Sequence, residues 1–446
     1  MTEQILIIVS VALFLLVGFL AKNRKAKSID SFSTSRNKLS WFVTAAGVSM
    51  TFVGGAALIN MAALGYNFSW YTLVDPIALT IGIIISVLFV RKYRSDSGVT
   101  ISQLLSSDNK KLSLYIGILS SAIFLLITAA QFVAFSKLLA PYFPSIHPTL
   151  LILIPSAIIL LYVFWGGFSA VTNTDVLQLL FISIFLLIPV GYFILTNEFA
   201  IASNSIKPDL FAPMPTELMI LLSISILFVP LSQDINIRAK SAKDNKNAVI
   251  GLIGGAVFYS LIVIACCYIG ITLAEHGVKM DDTEQAFPTF FKHFFPSIGI
   301  FAILAGMAAI WSTLDTYLVN AITSIAQDIL KKNNYFQKLE ERKLIIVSGI
   351  IVYSLAMLAG LYFNQVLTLI LTALLIYISV LLPIVIGKKL KVNDNIIFII
   401  SLLTSIAIIV CEIQKVAINP KAIIYPVSGI CLMLIGKLFQ TAAPKA

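Results

Sequence analysis

Apolar residues run along this chain in long blocks, at 5–21, 41–64, 72–91, 114–141, 149–165, 174–196, 216–236, 247–274, 297–328, 344–363, 365–387, 395–414 and 421–440. The blocks hold roughly 17–30 residues each, near what a helix needs to cross about 30 Å of hydrocarbon. The pattern predicts an all-α polytopic membrane protein of about 13 transmembrane helices. Two blocks depart from it. The second carries Gly47, Gly54, Gly55 and Asn60, and the seventh is interrupted by Pro230 before Ser232-Gln233-Asp234. Breaks of this kind free backbone groups, which a membrane tolerates only where they are buried or line a cavity. The two broken blocks stand five spans apart, the spacing of inverted repeats whose first helices unwind around a ligand. That predicts a first repeat at 41–196 and a second at 216–387, with 5–21 and 395–440 as extra spans, all within a single domain of 1–446.

Composition agrees with the pattern: 59% of residues are apolar and 12% are charged, against about 25% charged in soluble domains. This excludes a soluble enzyme, a nucleic-acid-binding domain or a disulfide scaffold. The net charge of +10 comes from bases gathered in alternate connections. One set of connections holds 25 of the 31 Lys and Arg residues, whereas the other holds Lys207, Lys279, Lys292, Lys415 and Lys421. The positive-inside rule then places the N-terminus outside and the C-terminus in the cytoplasm. Lys137, in neither set of connections, lies within a block near the outer end of the fourth, where it can snorkel or draw a carboxylate into an outer vestibule. The first block lacks the basic n-region of a signal peptide, so it reads as a retained span. Cys266, Cys267, Cys411 and Cys431 show no metal-ligand spacing and read as packing residues. The connection at 275–296, with Asp281, Asp282, Glu284 and three phenylalanines, reads as an external gate helix or a solvated cap.

Charged side chains inside spans mark bundle interiors or wet cavities. The densest polar stretch is 305–330, where Ser312, Asp315 and Thr316 share one helix face. Each hydroxyl there could bond its own i−4 carbonyl, but with Thr313 the group also offers the oxygens a hard cation needs. Asp175 stands at the head of the sixth span, where the helix dipole favours an acid.

These stretches together resemble the sodium:solute symporter family. Gly166-Gly167 with Thr174-Asp175 and Gln178 is similar to its loop and sixth span. Ala309 to Thr316 with Asn320-Ala321 resembles its ninth, and Ser232-Gln233-Asp234 with Arg238 the end of its seventh. The resemblance covers roughly 5–440 and implies a leucine-transporter-like bundle formed by spans 2–6 and 7–11. It implies a Na⁺ site of Met50, Val53 and Ala309 carbonyls with Ser312 and Thr313 hydroxyls. A second Na⁺ position would use Asp175, Ser312, Asp315 and Thr316. Gly54, Ala57, Asn60, Gln131, Phe228 and Ser232 would line the solute site. Choline is disfavoured, because Phe52 and Leu231 stand where choline-transporting members place tryptophans. Proline is disfavoured by Ser225 and Val229, and a sugar by the thin set of polar side chains.

The expectation is a Na⁺-coupled symporter of the inner membrane, acting as a monomer and importing a small polar organic solute by alternating access. Its partners would be the solute, Na⁺ and the bilayer, with no nucleic acid. Na⁺ would be the coupling ion, with no organic cofactor and no enzymatic motif. A ligand sensor that has lost transport and a passive solute channel are the alternatives.

Overall fold

The computed structural model describes residues 2–20, 27–105, 109–196, 214–297, 299–362, 366–414 and 421–442. Lys22, Arg24, Lys25, Lys207, Lys415 and Lys445, which enter the charge argument, lie outside them. Among the described residues the chain is helical, and no strand occurs. The main helices are α1 (Thr2–Leu20), α2 (Trp41–Phe52), α3 (Gly55–Phe68), α4 (Val74–Leu88), α5 (Lys110–Leu139), α6 (Pro148–Ile182), α7 (Thr216–Leu231) and α8 (Gln233–Ser241). They continue as α9 (Asn245–Glu275), α10 (Ala286–Phe294), α11 (Gly299–Ser324), α12 (Glu341–Tyr362), α13 (Val366–Lys389), α14 (Asp394–Ile413) and α15 (Lys421–Ala442).

Both breaks foreseen at Gly54-Gly55 and after Pro230 are present. The second block divides into α2 and α3, and the seventh into α7 and α8, bent by 44° at Ser232. A third discontinuity separates the fifth and sixth blocks. Within the helical stretch Pro148–Thr196 two helices meet at a kink, where Gly167 takes φ 54° and ψ −146°, the turn expected at Gly166-Gly167. Only glycine enters that region readily, and Phe32 packs against the position a side chain would occupy. Asp175 consequently does not cap a helix; it lies within α6, eight residues beyond the kink.

Among the described residues, seven helical stretches are long and apolar enough to cross a membrane, or eight when the bent α7–α8 pair is taken as one. α1, α2 and α15 contain shorter apolar segments. Large apolar side chains such as Leu88, Ile188, Leu195 and Leu358 stand exposed around the bundle, a surface suited to lipid and costly in water. This is an integral membrane protein.

Glycines set how closely the inner helices approach. α9 packs along α2 and α3, α11 against α5 and α6, and α7 against α4. At the α3–α9 crossing a Cβ on Gly270 would overlap the Ala62 carbonyl, and one on Gly65 the Cys267 carbonyl. Backbone cannot swing aside as a side chain does, so overfilling here forces the helices apart at a cost of about 1–3 kcal/mol. Gly270→Ala is therefore expected to lower the melting temperature in detergent, while Gly191→Ala, with open space around it, should not. Equal melting of the two variants would contradict this account of the crossing.

Candidate ion and solute site

The site begins where α2 stops. Val53 and Gly54 leave helical geometry (ψ 55° and 174°), so the carbonyls at the end of α2 lose their i+4 partners. The freed groups find partners from other helices. The Gly55 amide donates to Gln131 Oε1 on α5 at 3.1 Å. Thr313 Oγ1 on α11 donates to the carbonyls of Met50 and Thr51, each at 3.2 Å. Gly54 permits the approach, because a Cβ there would stand 2.6 Å from Thr313 Oγ1. Met50, Val53, Ala309, Ser312 and Thr313 are all buried. Of the expected ion ligands, the structure thus brings Thr313 onto Met50. Ser312 turns the other way and donates to Asp175 Oδ1 at 2.5 Å.

Beyond Ser312 lies a buried polar network. Arg238, one turn into α8, holds Asp234 Oδ2 at 2.7 Å and Asp175 Oδ2 at 3.0 Å. It also donates to Thr51 Oγ1 at 2.9 Å and Thr316 Oγ1 at 3.2 Å, and lies over the Phe168 ring. A Cβ at Gly47 would collide with the guanidinium, so the glycine of α2 is space kept for an arginine of α8. Asp315 accepts from Tyr162, whose hydroxyl in turn accepts from Trp311 Nε1 at 3.0 Å, and from Thr174 at 3.3 Å. The four residues expected at a second ion position, Asp175, Ser312, Asp315 and Thr316, do converge. Asp175 and Thr316 meet at Arg238 and Ser312 joins them through Asp175, whereas Asp315 is held by Tyr162 and Thr174; the sequence alone left Arg238 without a role. Arg238 pairs with two buried carboxylates, Asp175 and Asp234, and Asp315 is a third buried acid in the same network without a base of its own; Asp315 Oδ1 and Asp234 Oδ1 have no hydrogen-bond partner. The excess of negative charge is chemistry suited to a further cation.

Between the breaks lies a cavity of about 740 Å³ of atom-free space, counting its mouth. Gly54, Ala57, Asn60, Gln131 and Phe228 line it as expected. Ser232 does not; it sits buried at the α7–α8 break. The wall also contains Ser225 and Val229, already singled out in weighing the solute, together with Asp75 and Tyr259, which sequence reasoning missed. The signal was present, since Asp75 is an acid inside the third apolar block.

Lys137 is neither snorkelling freely nor open to a carboxylate. It pairs with Glu284 and, at 3.3 Å, with Asp282, joining α5 to the turn that leads into α10. The connection at 275–296 accordingly contains a helix docked on the bundle by its buried Phe287, Phe290 and Phe291.

Removing one partner of a buried ion cluster strands the others, at a cost of about 3–5 kcal/mol. Arg238→Gln should destabilise the protein on that scale, and adding Asp234→Asn should recover part of the loss by removing a stranded charge. Chemical unfolding in detergent measures both. Additive losses would show that Arg238 and Asp234 are not energetically coupled.

Comparison with known proteins places these features in a wider set. The sodium:solute symporter family matches residues 32–387. The sodium/pantothenate symporter of Haemophilus influenzae is 26% identical over 381 residues, covering 80% of this chain and 74% of that protein. A sodium/proline symporter of Staphylococcus aureus is 22% identical over 383 residues, with the same coverage of 80% and 74%. Among solved structures, a Na⁺-coupled sialic acid symporter in a substrate-bound, outward-open state has a TM-score of 0.74 at 17% identity, covering 100% of this chain and 98% of that one. A nucleobase-cation-symport-1 family transporter in a closed conformation has a TM-score of 0.61 at 14% identity, covering 92% and 94%. The family match spans most of the chain and takes in both broken helices: the protein belongs to the sodium:solute symporter family.

Proposed function

We propose that this protein is a Na⁺-coupled symporter of the inner membrane that imports a small organic solute by alternating access. The observation that carries the reading is the meeting of Thr313 with the freed Met50 carbonyl, beside a cavity that lies between two broken helices. An ion held by Met50, Val53, Ala309, Ser312 and Thr313 would bridge α2 to α11. Its binding would favour whichever arrangement of the bundle brings those helices together. Inward movement of Na⁺ supplies about 2.3 kcal/mol per charge per 100 mV, in addition to its concentration gradient. The second cation position falls to Asp175, Ser312, Asp315 and Thr316, where carboxylates outnumber the one guanidinium.

The proposed topology has thirteen crossings, arranged as the repeats 41–196 and 216–387 with 5–21 and 395–440 outside them, the N-terminus external and the protein functional as a monomer. It puts the end of α9 outside and the segment after α11 inside. In a cysteine-free background, Glu275→Cys should react with an impermeant reagent from outside, and Tyr335→Cys only from the cytoplasmic side. Labelling of both from one side would overturn this orientation.

The ion site has a test that needs no solute. Trp311 lies beside Ser312 in the chain, so Na⁺ titration of the purified protein can be followed by tryptophan fluorescence, with K⁺ as control. Ser312→Ala and Thr313→Val each remove an oxygen from a dry site. By analogy with an unmade buried polar contact of about 1–3 kcal/mol, the half-saturating Na⁺ concentration should rise about 5- to 150-fold. Asp315→Asn should lower the number of ions bound while leaving the first site. Wild-type Na⁺ dependence in the two hydroxyl variants would remove the assignment.

A further inference from the structure

The cavity between the broken helices contains one charged side chain and no positive charge to meet it. Asp75 is buried on the first turn of α4, among the cavity-lining residues. An acid in a first helical turn is commonly explained by the helix dipole, but Asp75 is held by two other helices. Ser225 Oγ of α7 donates to Oδ1 at 2.9 Å, and the Tyr259 hydroxyl of α9 donates to Oδ2 at 2.5 Å. Gly82 locks α4 against α7, since a Cβ there would come 2.6 Å from the Ser225 carbonyl. The carboxylate is therefore fixed in position. Among the described residues no Lys, Arg or His lines the cavity, and none forms an ion pair with Asp75.

The remaining polar groups on the wall are sparse and incompletely matched. Gln131 spends Oε1 on the Gly55 amide, which leaves its Nε2 buried without a partner, and Asn60 Oδ1 is likewise unpaired. Leu79, Ile127, Ile224 and Phe228 supply an apolar surround. In such a setting a lone negative charge is costly unless a positive group enters with the ligand. An anionic solute would add a second negative charge, whereas a cationic one would supply the partner that lets a buried carboxylate stay ionised.

We propose that Asp75 is the specificity-determining residue of the solute site, and that the solute is an organic amine whose N–H groups pair with Asp75 while a compact apolar body fills the cavity. Asn60 Oδ1 is available to a further N–H, and Gln131 Nε2 to an acceptor elsewhere on the solute. The inference rests on the symporter reading, because it takes this cavity to be where the solute binds.

The test uses the purified full-length protein and thermal unfolding in Na⁺ and in K⁺ buffers. The probes are isobutylamine, cyclohexylamine and 2-phenylethylamine, each beside its uncharged alcohol and its carboxylate counterpart. At least one amine should stabilise the wild type in Na⁺, with its two counterparts weaker by about 30-fold or more, the scale set by losing one partner of a buried charge pair. Asp75→Asn should weaken that amine by a similar factor. If the amide variant loses its cooperative melt, the amine, alcohol and carboxylate series on the wild type decides the matter alone. Stabilisation by Na⁺ without any amine preference overturns the assignment of Asp75 and leaves the symporter reading standing. Absence of any Na⁺ stabilisation is the result that undermines the symporter reading itself. Equal amine binding by wild type and Asp75→Asn also overturns the proposal.

Discussion

A peptide carbonyl freed inside a bilayer has no water to turn to, so a broken helix survives only if protein or ion takes up the slack. This constraint organises the centre of the molecule. α2 and α3 part at Val53-Gly54, and the exposed backbone is met by Gln131 of α5 and Thr313 of α11. α7 and α8 part at Ser232, where the Tyr377 hydroxyl of α13 donates to the Leu231 carbonyl at 3.2 Å and Tyr93 donates to the Pro230 carbonyl at 2.7 Å. Each break recruits helices distant in sequence, which is how two local defects come to define one shared site. An oxygen left partly satisfied at such a point suits a dehydrated cation better than a neutral molecule.

The same logic applies to charge. Arg238 is fully buried and has a partner for each of its three nitrogens, which makes the burial of a guanidinium tolerable. Those partners come from α2, α6, α8 and α11, so the side chain ties both breaks to the helices that carry the ion ligands. Close by, the strand-like contact of Leu39 with Ala242 joins the approach to α2 to the exit from α8. The start of one broken helix is thereby fastened to the end of the other.

Much of this was legible in the sequence, because burial in lipid writes itself as long apolar blocks and helix breaks write themselves as Gly54-Gly55 and Pro230. The hydroxyls of α11 were legible for a similar reason: four oxygen-bearing side chains in five residues have no packing purpose in hydrocarbon. What escaped depends on partners far along the chain. Asp75 gains its meaning from Ser225 and Tyr259, which are 150 and 184 residues away. Arg238 looks like an ordinary cytoplasmic base until Gly47 is seen to vacate its space. Lys137 looked unpaired because its acids lie 145 and 147 residues later. Asp175 was placed at a helix start because the sixth apolar block begins at 174, whereas the helix already runs on from the Gly167 kink, eight residues before Asp175. Ser232 was put on the cavity wall because adjacency to a break was taken for exposure to it.

Ion pairs at the rim and in the interior differ in what they cost to open. Lys137 meets Asp282 and Glu284 where the side chains keep 19%, 50% and 13% of their surface exposed. The half-exposed Asp282 arm is close to a surface pair, worth about 0–1 kcal/mol; the Glu284 arm is mostly covered, but both ends lie near enough to the surface for water to solvate them once they separate. Lys240 with Asp96 is intermediate, with one end buried and the other a quarter exposed. Opening the Arg238 cluster would instead leave charges in a dry interior, at several kcal/mol each. If the bundle alternates between two arrangements as proposed, parting at Lys137 and α10 would cost less than parting at Arg238. The residues proposed to hold Na⁺ adjoin the Arg238 cluster through Ser312 and Asp175, so in that reading a displacement of α2 against α11 would change the ion's ligands before it broke the protein's own charge pairs.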